Sequence, residues 1–194
     1  MRIGIDVDDT ITNTYDYLIP KIGEYYNVDS DNLLKRALSY DDFLNNDEFP
    51  NFSIYAGENY QKFIYEVPVK KGAVEYINRL KEDGNEIIII TARHAGEYDN
   101  PYEITQDYLL KHQIPFDKII IGALDKGKVS EEENIDIFID DSINNCLKVK
   151  NHGIETLLFD ARFNRHNKDL RRVNSWKEVH EIIKNNQKWL FFLC

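Results

Sequence analysis

Five short apolar runs, separated by segments of helical periodicity, are the feature that most constrains the fold of this chain. Each run is rich in Ile, Val, Leu or Phe, and the runs cover residues 2–6, 86–91, 118–122, 136–140 and 155–159. Continuous runs of this length are typical of parallel strands that are buried on both faces. Apolar residues recur at helical spacing in residues 73–83, 101–112, 142–151 and 175–185. This alternation predicts an α/β fold with a Rossmann-like, doubly wound parallel sheet.

Residues 14–68 interrupt the alternation. They have helical character and many aromatic side chains, and they contain no strongly apolar run. Because they lie between the first strand and the next parallel strand, we expect them to form a small helical cap over the sheet. The predicted organisation is therefore a core of residues 1–13 and 69–194 and a cap of residues 14–68.

Charge and cysteine content limit the partners and the compartment. The net charge of −10 disfavours binding to polyanions, so we expect no nucleic-acid polymer as a partner. Cys146 and Cys194 form no disulfide framework, which fits a reducing cytosol. Met1 leads directly into a strand and no apolar run approaches membrane-spanning length, so we expect a cytoplasmic protein with neither signal peptide nor membrane span. The terminal WLFFLC is expected to dock on the body or on a second copy in a homodimer.

Charged and hydroxyl side chains lie where each of the first four apolar runs ends. In chain order they are Asp6, Asp8 and Asp9, then Thr91 and Arg93, then Lys126 and Lys128, and finally Asp140 and Asp141. Ligands of open α/β sheets bind at the carboxyl ends of the strands, so we expect these side chains to converge at one edge. The carboxylates can share a Mg²⁺ ion, which prefers hard oxygen ligands, and a lysine and a threonine can hold the remaining charge of a phosphoryl group.

Each of these features also has a simpler interpretation. An acidic string can be a calcium loop, but such a loop beginning at Asp6 needs Gly at its sixth position and Glu at its twelfth, where this chain has Ile11 and Tyr17. The pair Asp140 and Asp141 can simply favour the start of a helix. A lone strand-end threonine is ordinary, and lone lysines are usually solvated. The joint placement of all of them at strand ends favours a functional site.

The same motifs resemble those of the haloacid-dehalogenase-like phosphatase superfamily. The matching features are D-x-D-x-T after an apolar strand, a strand-end Thr, a Lys, and DD after another apolar strand. Within that superfamily, ITAR, IDDS before a Cys-containing helix, and the helical insertion resemble the cytosolic 5′(3′)-deoxyribonucleotidase group and its bacterial nucleotidase relatives. The resemblance covers nearly the whole chain.

The resemblance implies roles for five of the residues in the reaction. Asp6 would be the nucleophile that accepts the phosphoryl group as an aspartyl-phosphate. Asp8 would be the general acid for the leaving group and then the base for water. Thr91 would bind the phosphoryl oxygens, and Lys126 or Lys128 would neutralise charge. Lys126 is preferred of the two because it directly follows an aspartate, as in the deoxyribonucleotidase pattern.

The resemblance also implies a metal site and a further phosphate contact. Asp6, the Asp8 backbone carbonyl and Asp140 would bind Mg²⁺, with Asp141 supporting the ion directly or indirectly. Arg93 would contact the substrate phosphate or else a neighbouring loop.

The function implied is a Mg²⁺-dependent phosphomonoesterase acting on (deoxy)nucleoside monophosphates. A phosphatase of a sugar phosphate or other small metabolite is an alternative, because cap residues decide the substrate. A non-catalytic binding protein is a second alternative, but it would be expected to lack Asp6 or Asp8, and both are present. Tyr15, Tyr17 and Phe43 are the cap aromatics that we consider for stacking on a nucleobase.

Overall fold

The described strands form one parallel sheet. The computed structural model of this protein describes residues 1–96 and 98–192, with side chains as far as residue 186. The strands are β1 (Arg2–Ile5), β2 (Glu86–Ile90), β3 (Lys118–Ile120), β4 (Ile137–Asp140), β5 (Glu155–Phe159) and β6 (Arg172–Val173). Their order is β3-β2-β1-β4-β5-β6, with every neighbouring pair parallel. The direction of winding therefore reverses between β1 and β4, which opens a crevice at their carboxyl ends.

Helices cover both faces of this sheet and also form a separate group after β1. The group after β1 contains α1 (Thr14–Tyr26), α2 (Ser30–Arg36), α3 (Tyr40–Leu44) and α4 (Phe52–Phe63). The helices interleaved with the later strands are α5 (Ala73–Glu82), α6 (Pro101–Lys111), α7 (Lys126–Glu132), α8 (Ile143–Asn151) and α9 (Trp176–Phe192). The predicted α/β class with a doubly wound parallel sheet is thus confirmed, while α7 and the two-residue β6 were not anticipated.

The side chains of the strands alternate between two apolar layers. Ile87 and Ile89 pack in the larger layer, together with residues of α5 and α9. Ile88 and Ile90 pack in the second layer, with Phe138 and with Val149 of α8. Burial on both faces explains why these strands appear in the sequence as continuous apolar runs.

The helices α1 to α4 have an apolar core of their own. Its buried members are Leu18, Ile19, Ile22, Leu33, Phe43, Phe49, Phe52, Tyr55 and Ala56. The chain enters and leaves this helical group at one place, where Thr12 forms an antiparallel bridge with Val69. The division into a core of residues 1–13 and 69–194 and a cap of residues 14–68 stays a prediction that agrees with this arrangement.

Three further expectations concern cysteines, membranes and the carboxyl terminus. Cys146 is a free, buried cysteine. Within residues 1–96 and 98–192, no helix combines the length and the apolar character that crossing a bilayer requires. The side chains of WLFFLC, and with them Cys194 and the proposed homodimer contact, lie outside the described part of the chain.

Candidate active site

The pairing of β1 with β4 brings Asp6 and Asp140 to the same edge of the sheet. Ile5 is the register partner of Ile139, and the backbone N–H of Asp6 donates to the carbonyl of Ile139 at 3.0 Å. Asp6 follows β1 directly and Asp140 is the last residue of β4. Both carboxyl side chains are buried. They therefore face the crevice where the strand order reverses.

Lys126 places a buried ammonium between these two carboxylates. It is the first residue of α7, and Asp125 caps that helix by accepting the backbone N–H of Lys128 at 3.2 Å. The Lys126 ammonium donates to Asp6 and, at 2.7 Å, to Asp140, and the side chain is only 2% exposed. Burial lowers the pKa of Lys126, but the carboxylates of Asp140 and Asp6 raise it by a larger amount, so the net shift is upward. Lys126 is thus a fixed positive charge.

Lys128 lies outside this cluster, which corrects the expectation that either lysine could bind the phosphate. Its ammonium lies 3.8 Å from Glu132 across one turn of α7, and its side chain is 68% exposed. Residues two apart on a helix point to opposite sides, so only one of the two lysines can face Asp6.

Three carboxylates at this edge have the geometry of a cation site. Among the described residues, Asp6, Asp140 and Asp141 each offer an oxygen within 4.8 Å of the others. Burial raises the pKa of Asp6 to about 7, although Lys126 opposes the shift and nearby acids add to it. Burial and the repulsion of Asp140 and Asp9 raise the pKa of Asp141 well above its usual value. Such crowded carboxylates are stabilised by a bound cation.

The acids Asp140 and Asp141 differ in how many donors they already hold. Oδ2 of Asp140 accepts from Lys126 at 2.7 Å and from Asn145 at 3.1 Å, and its Oδ1 accepts from the backbone N–H of Ser142 at 2.7 Å. The hydroxyl of Thr10 donates to Oδ1 of Asp141 at 3.2 Å. Protein donors thus occupy both oxygens of Asp140, whereas Asp141 keeps more of its acceptor capacity.

Asp8 is bound by Arg93, which was expected to contact the substrate phosphate or a neighbouring loop. Nε of Arg93 donates to Oδ2 of Asp8 and Nη2 to Oδ1, both at 2.8 Å. The Thr14 hydroxyl at the start of α1 adds a third bond to Oδ1 at 2.9 Å. Burial alone would raise the pKa of Asp8, but the Arg93 guanidinium and its hydrogen bonds lower it. The arginine of the ITAR motif thus binds the carboxylate of Asp8, another residue of the site.

A cleft of about 890 Å³ opens above these residues, and Thr91 forms part of its floor. Tyr15, Leu18 and Phe43 line the side formed by α1 to α4. The Tyr17 side chain does not line the cleft, because its hydroxyl donates to Glu66 and its ring packs on Phe63. Of the three aromatic candidates, Tyr15 and Phe43 line the cleft, and of these two Phe43 is 2% exposed and packs mainly in the apolar core of α1 to α4.

Several supporting residues were missed by sequence reasoning. Thr10 binds Asp141, Thr14 binds Asp8, Asn145 binds Asp140, and Lys148 lines the cleft. Thr10 belongs to the D-x-D-x-T motif, so its position carried a signal. The others are ordinary helix residues, which become recognisable only once the strand order is known.

Comparisons with known proteins agree with this site. The sequence matches the family model described as 5′ nucleotidase, deoxy (pyrimidine), cytosolic type C protein (NT5C) over residues 1–189. A "Putative 5′(3′)-deoxyribonucleotidase" of Chlorobaculum tepidum is 26% identical over 187 residues, which span 94% of this chain and 89% of that protein. These matches confirm the resemblance inferred from the strand-end motifs.

Solved structures share the fold at low sequence identity. A HAD-superfamily hydrolase of Geobacter sulfurreducens has a TM-score of 0.61 and 14% identity, covering 93% of this chain and 95% of its own. The "predicted phosphatase" of Clostridium acetobutylicum has a TM-score of 0.69 and 19% identity, covering 95% of this chain and 98% of its own. A D,D-heptose 1,7-bisphosphate phosphatase of B. bronchiseptica, complexed with magnesium and phosphate, has a TM-score of 0.54 and 13% identity, with 95% and 98% covered.

Proposed function

Because this chain belongs to the cytosolic type C 5′-nucleotidase family, we propose that it is a Mg²⁺-dependent enzyme that removes the phosphate of (deoxy)nucleoside monophosphates. Membership of the family makes the chain a phosphoric monoester hydrolase. The finer proposal is carried by one observation, the buried Lys126 ammonium held between Asp6 and Asp140 at the carboxyl edge of the sheet. Phosphoryl transfer needs chiefly such positioning and charge neutralisation.

The proposed reaction has two steps. In the first, a carboxylate oxygen of Asp6 attacks the phosphorus, the ester P–O bond breaks, and Asp8, which starts this step in its protonated form, donates that proton to the leaving oxygen. In the second, Asp8 takes a proton from water, which attacks the phosphorus of the aspartyl-phosphate and releases inorganic phosphate with Asp6 regenerated. Lys126 neutralises charge on Asp6 and the phosphoryl group, and Thr91 hydrogen-bonds a phosphoryl oxygen.

The donor set fits Mg²⁺. Three buried carboxylates lie within ligand distance of one another, and hard oxygen donors are the ligands this ion prefers. The sequence motifs implied Asp140 as a ligand with Asp141 in support. Because both oxygens of Asp140 already accept protein donors, we propose instead that Asp6, Asp141 and the backbone carbonyl of Asp8 would hold the ion, while Asp140 mainly orients Lys126. When bound, the ion would supply positive charge to the transferring phosphoryl group. The heptose bisphosphate phosphatase that shares this fold was solved with magnesium and phosphate, which supports the choice of ion.

The cleft favours a small substrate with an apolar end. Its volume of about 890 Å³ lies within the range of roughly 300–1,000 Å³ that small-molecule sites occupy. Tyr15 is partly exposed and offers aromatic surface to a nucleobase, whereas Phe43 is 2% exposed and packs in the apolar core of α1 to α4. The net charge of −10 disfavours a polyanionic strand.

The direct test is phosphate release from a panel of nucleoside monophosphates and sugar phosphates, with Mg²⁺ and with EDTA. Asp6→Asn is measured in parallel, with Lys128→Gln as a control because its side chain lies outside the site. We expect metal-dependent turnover of a deoxynucleotide, lost in Asp6→Asn and kept in Lys128→Gln. Turnover of sugar phosphates alone would replace the substrate class and keep the mechanism. No turnover of any ester would favour a binding protein.

A further inference from the structure

The two cations buried at the site have different partners. Lys126 bridges Asp6 and Asp140, whereas Arg93 donates to both carboxylate oxygens of Asp8. We propose that Arg93 is a positioning residue that holds Asp8 for proton transfer to the leaving group, and that it is not a ligand of the substrate phosphate. This inference rests on the proposed function and assigns a role within it.

The guanidinium has little capacity left for a phosphate. Nε and Nη2 donate to Asp8, and Nη1 donates to the hydroxyl of Thr105 on α6 at 3.3 Å. The Tyr98 ring lies 5.7 Å from Cζ, and the Arg93 side chain is 2% exposed. Three of the five guanidinium N–H groups therefore have partners within the protein, and the buried side chain leaves little surface through which a phosphate can reach the other two.

Asp8 also depends on Arg93 for its orientation. The fork of two parallel N–H···O bonds fixes both the position and the plane of a carboxylate, which a single bond does not. The remaining bond to Asp8 comes from Thr14, at the first residue of α1. Because the Asp8 side chain is still 33% exposed, it can reach a ligand in the cleft while Arg93 holds it from the buried side.

The arrangement separates binding of the phosphoryl group from proton transfer. The nucleophile has its own cation in Lys126, and Arg93 is committed to the acid two residues further along the chain. Removing Arg93 should therefore impair protonation of the leaving oxygen and leave phosphate binding intact. A phosphate-binding arginine would give the opposite result.

Leaving-group dependence distinguishes these roles. The substrates are p-nitrophenyl phosphate, whose leaving group departs without a proton, and the alkyl phosphate from the panel that wild type hydrolyses fastest. In Arg93→Gln we expect kcat/KM for the alkyl ester to fall by about 10²-fold or more, the scale of general acid catalysis. The value for p-nitrophenyl phosphate should change far less, and inhibition by inorganic phosphate should be unchanged. Equal losses on both esters together with weaker inhibition by phosphate would overturn the proposal.

A double-mutant cycle gives a second, independent readout. If Arg93 acts through Asp8, then adding Arg93→Gln to Asp8→Asn should cause no further loss for the alkyl ester. Losses that multiply would show that Arg93 contacts the substrate by itself. Arg93→Lys, which keeps the charge and loses the fork, should lie between wild type and Arg93→Gln, and it serves if Arg93→Gln fails to fold.

The outcomes separate this proposal from the proposed function. Thermal melts establish that each variant is folded, and Lys128→Gln controls for the loss of one positive charge. If wild type hydrolyses the alkyl ester but the Arg93 variants lose affinity for phosphate, only the role proposed for Arg93 is overturned. Wild type that hydrolyses no ester would overturn the function, and this assignment with it.

Discussion

The ammonium of Lys126 lies 2.7 Å from the carboxylate of Asp140, and both side chains are almost completely buried. The same ammonium also neutralises Asp6, so a single cation compensates two acids. Replacing it by Met would leave both carboxylates buried without that charge. The stability and the chemistry of the site are therefore linked through one side chain.

We expect Lys126→Met to lower the free energy of unfolding by about 3–5 kcal/mol, the usual result of removing one partner of a buried ion pair. Phosphatase activity should be lost as well, because Asp6 loses its counter-charge. Urea unfolding with a matched activity assay measures both effects. Lys128→Gln should stay within about 0.5 kcal/mol of wild type, as is usual for surface substitutions. Similar losses in the two variants would contradict the assignment of Lys126.

Mg²⁺ should stabilise the folded protein by binding to Asp6 and Asp141. An ion present at one hundred times its dissociation constant adds about 2.7 kcal/mol to the free energy of unfolding if only the folded state binds it. We expect the melting temperature to rise with MgCl2 and to return with EDTA. Asp141→Asn should lose this rise, whereas Asp31→Asn, which changes an exposed acid of α2 away from the cleft, should keep it. A rise that survives in Asp141→Asn would place the ion elsewhere.

Without metal, the protein should become less stable as the pH rises from about 4 to about 7. Burial raises the pKa of Asp6 to about 7 and that of Asp141 well above its usual value. In this range the folded state keeps protons that the unfolded state has lost. The free energy of unfolding therefore falls with rising pH, by about 1.4 kcal/mol for each group and each unit of difference between its folded and unfolded pKa.

Urea unfolding in EDTA at several pH values from 5 to 8 measures this slope. Asp141→Asn should make this slope shallower, because it removes one carboxyl group whose pKa is raised. The other titrating groups are the same in wild type and in the variant. Saturating Mg²⁺ should also make the slope shallower, since the ion replaces the protons. Equal slopes for wild type and Asp141→Asn in EDTA would show that the pKa of Asp141 is not raised in the folded protein.

Gly127 is a position where one methyl group should disturb the site. A Cβ there would lie 2.8 Å from the carbonyl oxygen of Lys148, so α7 would have to move away from α8. We expect Gly127→Ala to cost about 1–3 kcal/mol by overpacking and to lower kcat because the neighbouring Lys126 shifts. Gly57→Ala in α4 is the matched control, since its nearest neighbour is 3.9 Å away and it should stabilise the helix by about 0.5–1 kcal/mol. Equal behaviour of the two variants would argue against close packing at Gly127.

The parallel sheet and most of its strand-end residues could be predicted because their signals are local. Continuous apolar runs mark β1, β2 and β4, and acids directly after β1 and at the end of β4 follow the general rule for open α/β sheets. The hydrogen bonds of β1 with β4 then bring Asp6 close to Asp140. Sequence reasoning could thus state which edge holds the site.

Helical periodicity could not choose between Lys126 and Lys128, and the preference for Lys126 came only from the family resemblance. The helix that carries both, α7, has a single partly buried aliphatic residue, Val129, packed against the core, so it shows no helical periodicity. Strand β6 has two residues, too few for any pattern. The partner of Arg93 is Asp8, 85 positions earlier in the chain, and such long-range pairs leave no trace in a single sequence.

The bridge between Thr12 and Val69 means that the chain leaves the sheet and returns to it at nearly the same point. The length and shape of what lies between are therefore not constrained by the strands on either side. An evolving lineage can exchange the helices between these two residues, which line one side of the cleft, and keep the side chains that the strands place at the carboxyl edge of the sheet. For protein engineering, the segment between these two residues is the natural unit to transplant when a new specificity is sought.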